Sequence, residues 1–164
     1  MTLDDLVEIH SIKQLKYKYM RCLDQKLWSE MGECFVEDAS SSYSGGKYSQ
    51  QGREAILEFL EGSMGHETFL SSHRVSHPEI ELTSATTATG VWALDDVVID
   101  TRYGFTLRGA GFYADSYVKQ DGRWRIQSTG YRRTFEEMQS RKDVPGLKLT
   151  ASWWGSDGQS DIQA

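Results

Sequence analysis

Apolar side chains at Leu6, Ile9, Ile12, Leu15, Tyr19, Met20 and Leu23 recur at intervals of three and four, so residues 4–24 read as one long amphipathic helix. A second, short helix is expected over 27–35 and a third over 52–64, where Ile56, Leu57, Phe59 and Leu60 face inward. Between them, residues 36–39 should turn into a short strand around 41–43, and Ser44-Gly45-Gly46 has the composition of a loop. From Thr68 onward the period changes to that of extended chain. Segments 68–82, 86–100, 105–119 and 123–134 are rich in Val, Ile, Thr, Tyr and Trp. Asp121-Gly122, between the last two, is a strong hairpin signal. Residues 134–141 are expected to form a last helical turn or two, and the polar stretch 156–164 to fray. Three helices followed by long antiparallel strands make an α+β pattern: a curved sheet wrapped around the helices, with a pocket inside.

The chain has 164 residues, enough for one domain. The pattern places that domain over 1–150 and leaves 151–164 as a tail, partly disordered or packed on a neighbouring subunit. Trp153-Trp154 is too apolar for open solvent and is expected to pack on such a subunit or to cap the fold. A formal net charge of −6 argues against nucleic acid and against an anionic membrane surface as partners. The stretch 1–8 holds three acids and no basic residue, unlike a secretory signal. Cys22 and Cys34 lack a Cys-x-x-Cys spacing, so reduced thiols and a cytoplasmic location are expected.

The candidate chemistry rests on few residues. Asp24 ends the first helix, where the macrodipole disfavours a carboxylate, so it either starts a turn or serves another purpose. His73, Val75 and His77 should share one face of a strand. An imidazole held by a carboxylate has a fixed tautomer and one free acceptor nitrogen, the form of a general base; from the residues alone, a structural histidine is the simpler reading. His73 and His77 would stand about 13 Å apart along a strand, too far to share a metal. Arg132 and Arg133 alternate faces, and Arg133 is favoured for the pocket, with Arg132 as the other register. No Gly-x-Ser-x-Gly, P-loop or Gly-x-Gly-x-x-Gly stands in the right context; Gly109-Ala110-Gly111 suits a bend or bulge within a strand.

Several segments together carry a family resemblance. Tyr19 to Trp28, Phe35 to Asp38, Gly52 to Ile56, Ser72-His73 with Pro78, Gly90 to Asp95, Gly111 to Tyr113, Asp121 to Ile126 and Gly130 to Thr134 occur in order over residues 4–140. This set resembles the SnoaL-like branch of the nuclear transport factor 2-like superfamily. The resemblance implies a cone-shaped α+β barrel, three helices and a bent antiparallel sheet around an apolar cavity. It also implies acid–base chemistry without metal or organic cofactor, as in bile-acid 7-alpha-dehydratase, scytalone dehydratase, lindane dehydrochlorinase and ketosteroid isomerase. Asp24 and His73 then correspond to a catalytic dyad, and Tyr19, five residues before Asp24, to a donor for a developing enolate. Arg133, Asp95, Trp92, Trp28 and Phe112 are the expected substrate-binding residues. Trp92 stands where scytalone dehydratase looks to have a second histidine, and Asp95 falls where the bile-acid enzyme has another acid. The expected function is a dehydratase-type lyase or isomerase on a small hydrophobic, steroid-like or polycyclic carbonyl compound. The alternatives are a non-catalytic binder of a lipophilic molecule and a dehalogenase-type lyase. A homo-oligomer is expected, a trimer in preference to a dimer.

Overall fold

A capping box opens the chain: the Thr2 hydroxyl accepts the Asp5 N–H at 3.1 Å, and the Asp5 carboxylate accepts the Thr2 N–H at 2.6 Å. The computed structural model describes residues 1–162. Helix α1 (Leu3–Gln25) is followed by α2 (Trp28–Gly32), and α3 (Arg53–Met64) comes after the first two strands. The strands are β1 (Phe35–Tyr43), β2 (Tyr48–Gln51), β3 (Phe69–Leu82), β4 (Thr87–Asp100), β5 (Phe105–Gln120) and β6 (Arg123–Ser140). They form one sheet in the order β2-β1-β6-β5-β4-β3, with β2 and β3 as open edges, so the barrel is not closed. The sheet is mixed, because β1 runs parallel to β6 while every other pair is antiparallel. The fold is the expected α+β cone.

Helix α1 ends at Lys26, which adopts the left-handed conformation at φ 56° and ψ 40°. Its side chain is used at once: the ammonium donates to the carbonyls of Met64 at 2.8 Å and Phe69 at 2.7 Å. A cation thus sits on the C-terminal carbonyl of α3, where the dipole favours it. The end of α1 is thereby tied to the junction between α3 and β3. Asp121 and Gly122 both take positive φ, 50° and 73°, the turn that their sequence requires for the β5–β6 hairpin.

Four local expectations differ from what forms. The strand around 41–43 begins already at Phe35, and α2 is only one turn and a half, because Phe35 and Val36 are needed as buried strand residues. Residues 48–51, for which no element is expected, form β2, a short exposed edge strand that pairs with β1 alone. Residues 134–140 continue β6 instead of forming a helical turn, since the first residues of β5, Phe105 to Ala110, offer them backbone partners. His77 does not share a face with His73: a bulge between Ser76 and Glu79, with His77 at φ 48°, turns its ring to solvent.

Between helices and sheet lies a core that includes Ile12, Tyr19, Leu23, Phe35, Ile56, Trp92, Tyr113 and Ile126. Burying an aliphatic side chain such as Ile12 or Ile126 contributes about 1.5–3 kcal/mol. After β6 a 3-10 turn (Arg141–Asp143) leads into an irregular tail. That tail comes back to β3 and β4: Leu149, Ala151, Ser152, Trp153 and Trp154 share a hollow of about 350 Å³ with Leu70, Ser72, Val97 and Ile99. Trp154 is half-buried with its ring 4.1 Å from the Lys26 ammonium, while Trp153 is exposed. The tail therefore packs on its own chain along the edge of the sheet.

Candidate active site

The lock of Lys26 at the end of α1 aims Asp24 at the free edge of β3. There the carboxylate accepts three hydrogen bonds: from the His73 backbone N–H at 2.8 Å, from the Ser71 hydroxyl at 2.8 Å and from the His73 ring Nδ1 at 2.7 Å. An edge strand presents unpaired N–H groups, and Asp24 satisfies the one beside the histidine. These partners are worth more than the unfavourable helix-end position costs, which is at most about 1 kcal/mol. With Nδ1–H given to Asp24, Nε2 is the acceptor, and His73 lines a cavity of about 410 Å³.

The cavity has one charged wall. Asp96 is 3% exposed, and its Oδ2 lies 3.8 Å from His73 Nε2. Both Asp96 oxygens are held by Arg133, Nη1 at 2.5 Å and Nη2 at 2.9 Å, and Arg133 Nε lies 3.0 Å from Glu136. Burial works against the Arg133 charge, but the bonds and charge of Asp96 outweigh it, so the guanidinium is held above its ordinary pKa. A proton arriving on Nε2 would face Asp96, with Arg133 already fixed behind that carboxylate.

Aromatic side chains make up much of the rest, beside aliphatic ones such as Leu23, Leu60 and Val98 and the side chain of Lys47. Tyr19 and Tyr43 share a hydrogen bond between their hydroxyls at 3.0 Å, and Tyr113, Tyr131 and Phe59 pack against them at ring separations of 5.9–6.5 Å. Burial pushes the Tyr19, Tyr43 and Tyr113 phenols upward, so all three stay neutral and able to donate. One hydroxyl of the Tyr19–Tyr43 pair donates to the other, which leaves one O–H for a substrate oxygen. A cavity of this size with a few converging polar groups suits a small apolar molecule. Among the described residues, no group of three His, Cys, Asp or Glu side chains is placed to hold a metal ion.

The family model described as a SnoaL-like domain matches residues 4–130. The chain belongs to the SnoaL-like family. Solved structures agree with this. A candidate scytalone dehydratase from Novosphingobium aromaticivorans DSM 12444 is 27% identical, at a TM-score of 0.77 over 98% of this chain and 100% of that one. The hexachlorocyclohexane dehydrochlorinase LinA-type3 from Novosphingobium barchaimii LL02 is 17% identical, with a TM-score of 0.76 over 90% and 97%. A protein of unknown function from Mycobacterium tuberculosis is 24% identical, with a TM-score of 0.69 over 90% and 80%. These last two show the fold.

On this SnoaL-like scaffold Asp24, His73, Tyr19 and Arg133 come together, and Arg132 is exposed. The other four expected residues do not join them. Asp95 is exposed and Asp96 faces the cavity, because side chains alternate along β4 and the inward set is Trp92, Leu94, Asp96 and Val98. Trp92 is inward but fully buried behind the cavity, its indole N–H donating to the Tyr117 hydroxyl at 2.9 Å. Trp28 packs on the core from α2 and does not line the cavity. Phe112 is 55% exposed on the outer face, and its neighbour Tyr113 takes the inward place.

Sequence reading missed Asp96, Tyr43, Tyr131 and Ser71. Parity alone would have found Asp96, since Trp92 and Asp95 cannot both face inward on a regular strand. Tyr43 and Ser71 carry no local signal; they join the site through the position of β1 and through the end of α1.

Proposed function

We propose that this SnoaL-like protein is a cofactor-independent lyase or isomerase of the dehydratase type, acting on a small hydrophobic, steroid-like or polycyclic carbonyl compound. The observation that carries the reading is the 2.7 Å bond between Asp24 and His73 Nδ1, which leaves Nε2 on the cavity side. In this reading His73 Nε2 takes a proton from the carbon beside the substrate carbonyl. The C–H electrons move into the enolate, whose oxygen takes the free hydroxyl of the Tyr19–Tyr43 pair. Asp24 and Asp96 flank the imidazolium. The enolate then re-forms the carbonyl as the C–O bond to a β-hydroxyl breaks, and Nε2 returns its proton to that oxygen, releasing water. Return of the proton to carbon instead gives double-bond migration. Arg133, with both terminal nitrogens bonded to Asp96, acts here by fixing that carboxylate.

A screen of steroid enones and β-hydroxy-ketones, read by conjugated-product absorbance, tests this. The wild type should turn over at least one class, His73→Ala should lose about a thousandfold, within the usual range for a general base, and circular dichroism should not change. Turnover retained in His73→Ala would overturn the dyad. Elimination from a chlorinated cyclohexane alone would make the protein a dehalogenase-type lyase. No turnover at all, with ligand affinity that survives both His73→Ala and Asp24→Asn, would make it a binder.

A further inference from the structure

The two halves of the dyad border different hollows. His73 lines the aromatic cavity described above, and Asp24 does not. Asp24, with Gln25 and Ser71, lines instead the 350 Å³ hollow between the edge of β3 and the tail. Exposure follows the same division: the Asp24 side chain is 23% exposed and that of His73 only 9%. Water therefore reaches the carboxylate from the tail side, through a space whose other walls are Leu70, Val97, Ile99, Leu149, Ala151 and the tail tryptophans.

The tail is fastened beside Asp24. Lys26, two residues on, spends two of its protons on the Met64 and Phe69 carbonyls and lies 4.1 Å from the centre of the Trp154 ring. A cation held over indole in a partly desolvated place is worth about 0.5–2 kcal/mol. The tail adds its own turn bonds, Gly158 N–H to Ser152 O at 3.0 Å and Asp161 N–H to Thr150 O at 2.9 Å. Water admitted to this hollow would compete for the two Asp24 oxygens that hold Ser71 and His73.

We propose that Trp154 is a positioning residue for the Asp24–His73 pair: anchored on Lys26, it walls the tail-side hollow and restricts the water that reaches the Asp24 carboxylate there. The proposal rests on the acid–base reading for its purpose, but its test does not need a known substrate. In the full-length protein, the His73 backbone amide and ring Nδ1–H are both bonded to Asp24, and both report on water at that carboxylate. Hydrogen exchange by NMR on the wild type should show a protected His73 amide and an observable Nδ1–H resonance.

Trp154→Ala should speed exchange of the His73 amide by about tenfold or more, equivalent to about 1.4 kcal/mol, and broaden the Nδ1–H signal away. Trp154→Phe, which keeps an aromatic face for Lys26, should retain both. The Ile126 amide, bonded to Cys34 O at 2.7 Å on the far side of the sheet, should not change in either variant. A His73 amide that exchanges at the wild-type rate in Trp154→Ala would overturn the proposal. So would an equal rise at Ile126, which would mean general loosening of the fold. Failure of the acid–base reading shows itself separately, as turnover that survives His73→Ala.

Discussion

At the scale of single residues, the strongest forces in this protein are buried charges that have been given partners. Lys16 is wholly buried with its ammonium 2.7 Å from Asp115 Oδ2 and 3.5 Å from the centre of the Tyr113 ring. Burial pulls the Lys16 pKa down, and Asp115 works against that fall. Asp115 also accepts from Tyr117 at 2.6 Å and Thr129 at 2.7 Å, so neither oxygen is left bare. Such a pair is costly to halve and cheap to replace whole. Lys16→Met should therefore cost about 3–5 kcal/mol in urea unfolding, and adding Asp115→Leu should recover part of that loss. A single variant as stable as the wild type would show that Lys16 is not charged in the folded protein. Cys34, by contrast, is governed by burial, which outweighs the pull of the Lys18 ammonium and pushes the thiol up to about 12, so it is a core residue and not a nucleophile.

At the scale of elements, small departures from regular geometry decide what reaches the cavity. The sheet registers shift between Ala110 and Gly111 on β5 opposite β6, close to where Arg133 turns inward. Gly109 matters for a second reason. A Cβ there would stand 2.5 Å from Arg133 Nη1 and 3.2 Å from Asp96 Oδ1, so the absence of a side chain makes room for the guanidinium. Gly109→Ala should keep the fold but push Arg133 off Asp96, and turnover should fall about tenfold to a hundredfold, as expected for a displaced site. A crystal structure of the variant with both Asp96 bonds lost and full activity retained would show that Arg133 does not serve the site. The composition Gly109-Ala110-Gly111 suggests a bend from sequence alone; that one of the glycines accommodates a cation from the next strand is visible only when β5 and β6 are paired.

At the scale of the whole molecule, the cone is lined with phenols that folding keeps neutral. Burial raises Tyr19, Tyr43, Tyr113 and Tyr117, and the Asp115 carboxylate adds to the rise in each. In the unfolded chain these groups ionise near pH 10. Their folded pKa values lie higher, so below pH 10 both states hold the protons and the full stability is present. Above it the unfolded chain releases protons that the folded one retains, and stability falls as pH rises. The thermal midpoint followed by circular dichroism should hardly respond to these groups up to about pH 10 and then drop steeply, with absorbance of tyrosinate rising together with unfolding. Tyrosinate absorbance that rises before the fold is lost would mean that the cavity admits water freely. Among the described residues, no helix is long and apolar enough to cross a membrane.

The hydrophobic period determined the elements. Three helices, four long strands and the Asp121-Gly122 hairpin follow from spacing and turn chemistry, because those are local forces. The residue types of the candidate dyad were legible too, through Tyr19, Asp24 and His73 in their ordered segments. Which side of a strand a residue takes was not secured in the same way. A one-residue step exchanges Asp95 for Asp96, and a bulge at Ser76 to Glu79 sends His77 out while His73 stays in. The tertiary structure alone decided three things: that Asp24 meets the free edge of β3, that residues 134–140 extend a strand, and that Trp154 folds back onto Lys26. Each depends on a partner far away in the chain, and no local preference encodes a contact whose other half lies tens of residues off.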